Sequence, residues 1–380
     1  MLELFNLFIF LIFSLLFLFL LISVLVVAIF FYNSKSHLKK AFDSASDLIF
    51  FKVTVPEDDE TEVKFFEQFY VSLLGIKEKG KFNTNKSPHI SLEIVGDENG
   101  INFYVVCPKK INSLVEKAIH SVYSDAEITV SPQNIWNIWE MGGYQEFKEF
   151  YLSKEDYFPI QAYDKLDLDP LNAITSTMSK MGTGEAIAMQ LLIRPAVGSW
   201  KKIGNSVVGF LLNKKDKDGN PKTNDKDREK ADLIKEKTGH EGYEFVLRIM
   251  AVAPEKENAK NNLSNLKNAL NIFDNPSGNK FTSKPIKDYP FLSNSKRFVY
   301  AFVFRVFPFF HIELPYLNKI VVKGYSVLNT KELATLFHFP NNKVKTPGIA
   351  WLRSRTNIAP SLLPNTGTYI GISEFRGVEK

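Results

Sequence analysis

The residues able to do chemistry are scattered, not clustered. The chain of 380 residues holds six histidines and one cysteine, Cys107. No histidine stands at metal-ligand spacing from another, and HExxH is absent. Cys107 lies in an apolar run, where a thiol acts as a small buried hydrophobe, and a single cysteine excludes a disulfide framework. Binding of nucleotide phosphates needs glycine-lined backbone N–H groups at a helix start with a lysine at hand. The sequence has no GxxxxGK[ST]. Gly182-Thr183-Gly184 precedes a strand instead of following one, so it reads as a helix stop. Asp216, Asp218 and Asn220, with Asp227 at the twelfth place, imitate a calcium loop. The sixth place needs glycine for its sharp turn and is Pro221, and lysines surround the acids. No catalytic residue, cofactor site or metal site is therefore expected.

Two basic clusters remain, one at Lys77, Lys79, Lys81 and Lys86, the other at Lys201 and Lys202. Each reads as a solvated loop, or as a contact for phosphate or anionic lipid. The net charge of +5 is too mild to announce nucleic acid.

Hydrophobic periodicity predicts the elements that carry these residues. Leu48–Val55 is a strand with Ile49, Phe51, Val53 and Val55 on one face. Glu57–Leu74 is a helix whose stripe is Val63, Phe66, Phe69, Tyr70 and Leu73. His89–Val95 and Ile101–Cys107 are strands joined by the hairpin signal Asp97-Glu98-Asn99-Gly100. Ile111–Tyr123 is a helix and Ala126–Val130 a strand. The order β-α-β-β-α-β predicts a ferredoxin-like unit over 46–132. Such a sheet binds RNA through aromatics on its open face. Here only Tyr104 faces that side, beside Glu93 and Glu127, so this face is expected to be solvated or docked on another domain.

The same order recurs with a strand at Tyr157–Asp164, a helix opened by Asp169-Pro170, and strands at Glu185–Arg194 and Gly242–Ala253. A helix at Glu255–Phe273 and a short strand at Asn279–Pro285 complete it. A second ferredoxin-like unit is thus expected over 155–288, split by an insertion at 195–241. Within the insertion, Ser199–Leu212 is amphipathic. Asn213–His240 carries nine Lys/Arg against seven Asp/Glu, a mixed-sign run expected to stay disordered. Residues 289–380 read as an aromatic segment around Phe298–Arg305, a helix capped by Asn329-Thr330, and an extended tail. The alternation at Phe298–Arg305 suits a strand or a buried helix.

Phe5–Tyr32 holds 28 residues without a charge. At about 1.5 Å per residue, such a run exceeds the roughly 30 Å hydrocarbon core of a bilayer. Lys35, Lys39 and Lys40 follow, while the other flank carries Glu3. The expectation is a transmembrane helix within 1–33 that meets membrane lipid through residues 5–32. The N-terminus would lie outside and the bulk in the cytoplasm.

The C-terminal third carries a recognisable text. Ser326-Val-Leu-Asn-Thr-Lys-Glu-Leu-Ala-Thr-Leu-Phe-His-Phe-Pro340 resembles a signature found ahead of the motor in conjugation-type ATPases, the VirB4/TraG/VirD4-like proteins of type IV secretion. Thr346-Pro-Gly-Ile-Ala-Trp-Leu352, Ala359-Pro-Ser-Leu-Leu-Pro364 and Tyr369-Ile-Gly-Ile-Ser-Glu-Phe-Arg-Gly377 are similar to that family's approach to its motor. The resemblance covers most of the chain and is specific over 326–377. In the family, the last of these segments leads into a nucleotide-binding domain. The present chain reaches only Lys380, so no ATPase residue carries over.

The resemblance implies a membrane-tethered, non-catalytic accessory module that docks a VirB4/VirD4-like ATPase in trans. A module guiding nucleic acid toward a motor, or an enzyme with a scattered site, is the alternative, and a homo-oligomer is compatible with either. Leu333, Leu336 and Phe337 form an apolar stripe that a short helix cannot bury by itself. Arg353, Arg355 and Arg376 make the tail basic. These residues are the candidate partner-binding set. The expected fold class is α+β: a transmembrane helix, two ferredoxin-like units and an extended C-terminal connector.

Overall fold

The computed structural model describes residues 9–25, 47–80, 85–132, 142–214, 223–283, 285–286, 288, 294–308, 312–314, 319–322, 324–353, 374–375 and 378–379. Residues 9–25 are helical (α1). The rest of the expected span, 1–8 and 26–33, lies outside the described residues. No helix among the described residues is long and apolar enough to cross a membrane. That finding overturns the expected membrane-spanning helix within 1–33 and the single-pass placement built on it.

The rest is organised by one sheet. Its strands are β1 (Leu48–Thr54), β2 (Ile90–Asp97), β3 (Gly100–Pro108), β4 (Glu127–Val130), β5 (Tyr144–Leu152), β6 (Ala186–Pro195), β7 (Gly242–Ala253), β8 (Phe281–Ser283) and β11 (Ser326–Asn329). The order is β4-β1-β3-β2-β6-β7-β5-β8, with β11 on β7, nine strands in all. Short pairs β9–β10 (Ile312–Leu314, Lys319–Val322) and β12–β13 (Glu374–Phe375, Val378–Glu379) stand apart from it.

Within each half a strand sits between two others that a helix connects. β3 divides β1 from β2, and β7 divides β5 from β6, a split β-α-β arrangement. The halves are not separate units, which corrects the expectation of two. β2 and β6 pair antiparallel from Ile90↔Ile193 to Asp97↔Ala186 and fuse them. The reason lies in the strands themselves. Ile90–Gly96 and Ala186–Ile193 are buried on both faces, so neither could serve as a solvent-facing edge. The first strand of the second half is β5, not Tyr157–Asp164.

One sheet face carries α2 (Val63–Ser72), α3 (Asn112–His120), α4 (Leu171–Ser176), α7 (Lys256–Ala269) and α9 (Thr330–Leu336). Phe66, Phe69, Val115, Ile119, Ile174, Leu263 and Leu266 from this layer join Phe103, Leu191, Phe245 and Leu247 in the main core. The opposite face carries α8 (Asn294–Val303). The aromatic alternation at Phe298–Arg305 thus resolves as a helix, with Phe298 and Phe302 buried four residues apart.

The insertion forms α5 (Trp200–Leu212) and α6 (Asp225–Gly239). The expected disorder fails over 223–240, where the charged run hides a helix, and 215–222 lie outside the described residues. The Asn224 side chain accepts from the Asp227 N–H at 2.8 Å, and acidic residues fill the first turn. Ala231 and Ile234 then bury against Val208 and Leu211 of α5.

The segment expected as an extended connector is woven into the core through Leu352. β11 pairs with Gly242–Phe245 of β7. A capping box starts α9: the Asn329 side chain accepts from the Glu332 N–H, and the Glu332 carboxylate accepts from the Asn329 N–H, both at 2.8 Å. The chain then crosses to the first half. Asn342 N–H donates to Asp59 C=O at 2.8 Å, Ala350 N–H to Ile101 C=O at 3.0 Å, and Leu352 N–H to Val55 C=O at 2.9 Å. Gly100 must be glycine here. It has φ 118°, and a Cβ would lie 2.5 Å from the Gly348 carbonyl oxygen.

Candidate functional site: an ionic row beneath a clamped helix

The α8-facing side of the sheet holds a polar row that runs straight across six strands. Lys52 pairs with Tyr104, Tyr104 with Glu93, Glu93 with Gln190, Gln190 with Arg248 and Arg248 with Glu149. Facing residues of paired strands share a side, so the row is continuous. Glu93 and Gln190 are fully buried and Arg248 nearly so. Burial, with the charges of Asp97 and Glu93, pushes the Tyr104 phenol up to about 12.

Arg305, just past α8, descends on this row. Its Nε and Nη2 donate to the two Glu93 carboxylate oxygens at 2.9 and 3.0 Å, and its guanidinium lies 4.6 Å from the centre of the Phe50 ring. Ser91 Oγ and Gln190 Nε2 also donate to Glu93. Burial lowers the Arg305 pKa, and Glu93 opposes that fall. The row also satisfies the end of α8. Arg248 donates to the carbonyls of Ala301 and Val306 at 3.0 and 2.9 Å, and Gln190 to that of Phe302 at 3.0 Å. Carbonyls left over at a helix C-terminus favour cationic donors.

The backbone here is unusual. Val306 N–H donates to Ala301 C=O and Arg305 N–H to Phe302 C=O, the Schellman pattern of a helix end. That pattern puts Arg305 at the left-handed position, φ 51°, where glycine is usual. The strain of about 1 kcal/mol is held by the side chain's grip on Glu93. Further along, Arg194 pairs with Glu244 at 2.7 Å and lies 4.2 Å from the centre of the Phe307 ring.

Beside the row, a groove of about 920 Å³ runs between β5 and the outer side of α8. Gln145 and Phe147 line one wall and Val299, Tyr300 and Val303 the other.

The candidate residues read from the sequence lie elsewhere. Leu333, Leu336 and Phe337 are fully buried in the chain's own main core. Phe337 packs near Phe66, Phe103 and Phe339, and its carbonyl accepts from the Tyr70 hydroxyl at 2.8 Å. Arg353 is exposed. Arg355 and Arg376 fall outside the described residues, as do Asp216, Asp218 and Asn220. Asp227, the fourth member of that calcium-like set, accepts from Lys214 Nζ at 2.7 Å. Among the described residues, no three His, Cys, Asp or Glu are grouped to hold a metal ion.

Two further buried side-chain contacts secure the segment around α9. Lys237 Nζ lies 3.1 Å from Glu332 and donates to the carbonyls of Phe158 and Val327. His338 faces acceptors at both ring nitrogens: the Ala334 carbonyl at 2.9 Å and the Asp169 carboxylate at 3.1 Å. Burial pushes the Asp169 carboxyl up, but the His338 ring and the Leu171 N–H outweigh it, so its pKa lies below the ordinary value.

Glu93 is legible on this face in the sequence, but the ionic roles of Arg248 and Arg305 and the hydrogen bonds of Gln190 are not. The available signal was one polar residue inside an otherwise apolar strand, as in Val246-Leu247-Arg248-Ile249-Met250. A family model described as a domain of unknown function (DUF8128) matches residues 33–352 of the chain. No curated protein matches it.

Proposed function

The chain belongs to the family of the domain of unknown function DUF8128, and from that premise we propose that it is a non-catalytic docking module for a motor ATPase of a secretion or DNA-transfer machine. One observation carries the reading. The segment that resembles the approach to the motor in conjugation-type ATPases is tied to both halves of the sheet from Ser326 to Leu352. Residues beyond Leu352 therefore start from a fixed point on a stiff body. A docking module needs this property, because an interaction surface held in place loses less entropy on binding. The polar side-chain pairs act in the same direction. Glu93 with Arg305, Arg248 with Glu149, Lys237 with Glu332 and Asp169 with His338 each join elements distant in sequence.

The test is retention of a purified VirB4/VirD4-type ATPase from the same cell on the immobilised full chain. A variant lacking 353–380 serves as the comparison. A deletion from 341 would not serve, because Val344 and Ile349 are buried in the core. Expected are retention by the full chain and its loss in the variant, with circular dichroism unchanged. Failure of the full chain to retain the ATPase contradicts the proposal.

A further inference from the structure

We infer that α8 is a releasable cover: it opens from the sheet as one unit while the rest of the fold stays intact. This goes beyond the docking proposal and does not depend on which partner the chain meets. The helix draws little support from its own sequence. It has ten residues, and isolated helices shorter than about 12–15 residues are marginal in water. Phe298, Val299, Tyr300, Phe302 and Val303 are weak helix formers that favour strands. No acid stands in its first turn and no base in its last. Lys296 and Arg297 near its start oppose the helix dipole.

The support comes from the sheet instead. Arg248 and Gln190 supply donors to the carbonyls of Ala301, Phe302 and Val306 at the helix end. Glu93 holds Arg305 just beyond it. Within the helix, only Phe298 and Phe302 are buried. They join Phe50, Val106, Ala188 and Met250 in a cluster on this face, and Phe298 stacks on Phe147 at 4.5 Å. The dependence is one-sided. The main core lies on the opposite face of the sheet, against α2, α3, α7 and α9. The β2–β6 and β6–β7 ladders are complete without α8. Opening α8 forfeits one small cluster and one set of polar contacts, so it costs less than unfolding the chain. Closed, α8 hides Glu93, Arg248 and the apolar cluster. Open, it presents them together as a mixed apolar and charged face.

Native-state hydrogen exchange on the full chain at low urea tests this. The amides of residues 298–304 should exchange through one common opening, with less protection than those of β6 and β7. Their urea dependence should be weak, because a local opening exposes little surface. Leu263→Ala removes main-core packing that the closed and open forms share. It should therefore speed exchange in β6 and β7 at least about tenfold and leave α8 unchanged. Protection of α8 equal to that of β6 and β7 would overturn the inference. So would an equal acceleration of α8 by Leu263→Ala, which would mean that α8 opens only when the whole chain unfolds. If that variant fails to fold, the protection and urea dependence of the wild type decide the matter.

Discussion

Arg305 is the most exposing place to perturb the chain, because two opposing effects meet at one residue. Its side chain makes two charge-assisted bonds to Glu93, at 2.9 and 3.0 Å, with both residues buried. Its backbone sits at φ 51°, which an L-residue with a Cβ adopts at a cost of about 1 kcal/mol. Arg305→Ala keeps that strain and leaves the Glu93 carboxylate buried with only Ser91 and Gln190 as donors. Breaking a buried pair on one side costs about 3–5 kcal/mol. Arg305→Gly leaves the same orphaned charge but relieves the strain, so it should be about 1 kcal/mol less destabilised than Arg305→Ala. In the double variant Glu93→Gln, Arg305→Gly no charge is orphaned, and most of the loss should return. Urea unfolding followed by tryptophan fluorescence gives the three free energies. The reasoning fails if Arg305→Ala costs less than about 1 kcal/mol. It also fails if glycine proves worse than alanine, because the left-handed backbone would then impose no strain.

Other outcomes follow from the same structure. Burial pushes the Cys107 thiol up to about 12, so at pH 8 a maleimide should leave the native chain unlabelled and label it fully in urea. The Asp169 pKa is lowered in the native state, so its contribution is complete above the ordinary carboxyl value of about 3.9 and is lost as pH falls through the lower native value. Urea midpoints across that acid range should therefore fall more steeply for the wild type than for Asp169→Asn, and equal slopes would remove Asp169 as a cause. The β2–β6 ladder makes the sheet one body, so calorimetry should record a single cooperative transition for the two halves, and two resolved transitions would contradict it.

Local elements were legible in the sequence, and their assembly was not. β1, β2, β3 and α3 lie where periodicity predicts them, because each has an apolar face within a few residues of chain, whereas α2 begins at Val63 and not at Glu57, with no acid in its first turn. The cap of α9 was readable for the same reason, with Asn329 and Glu332 three positions apart. β5 does not announce itself as a strand, because Gln145, Glu146, Lys148 and Glu149 give it the composition of a loop. A half-exposed edge strand tolerates such residues, and its pairing to β7 is a long-range fact. The joining of β2 to β6 left a trace that was not used: both strands are apolar almost without alternation, as strands buried on two faces are. α6 was masked by charge, since only Ala231 and Ile234 mark its inner face. Arg305 could not be read at all, because its role depends on a backbone conformation that sequence spacing does not announce.

The central claim is that Ser326–Leu352 is part of the fold and binds the two halves of the sheet into one rigid mount. Thermal unfolding of two truncations tests it most directly. A chain ending at Leu352 keeps β11, α9, the His338–Asp169 pair and the bonds from Asn342, Ala350 and Leu352 to the first half. A chain ending at Asn329 loses α9, the Lys237–Glu332 and His338–Asp169 contacts and the buried side chains of Leu333, Leu336, Phe337 and Phe339. The account predicts that the first melts cooperatively at the temperature of the full chain and that the second shows no cooperative melt. A cooperative, unshifted melt for the chain ending at Asn329 would contradict it.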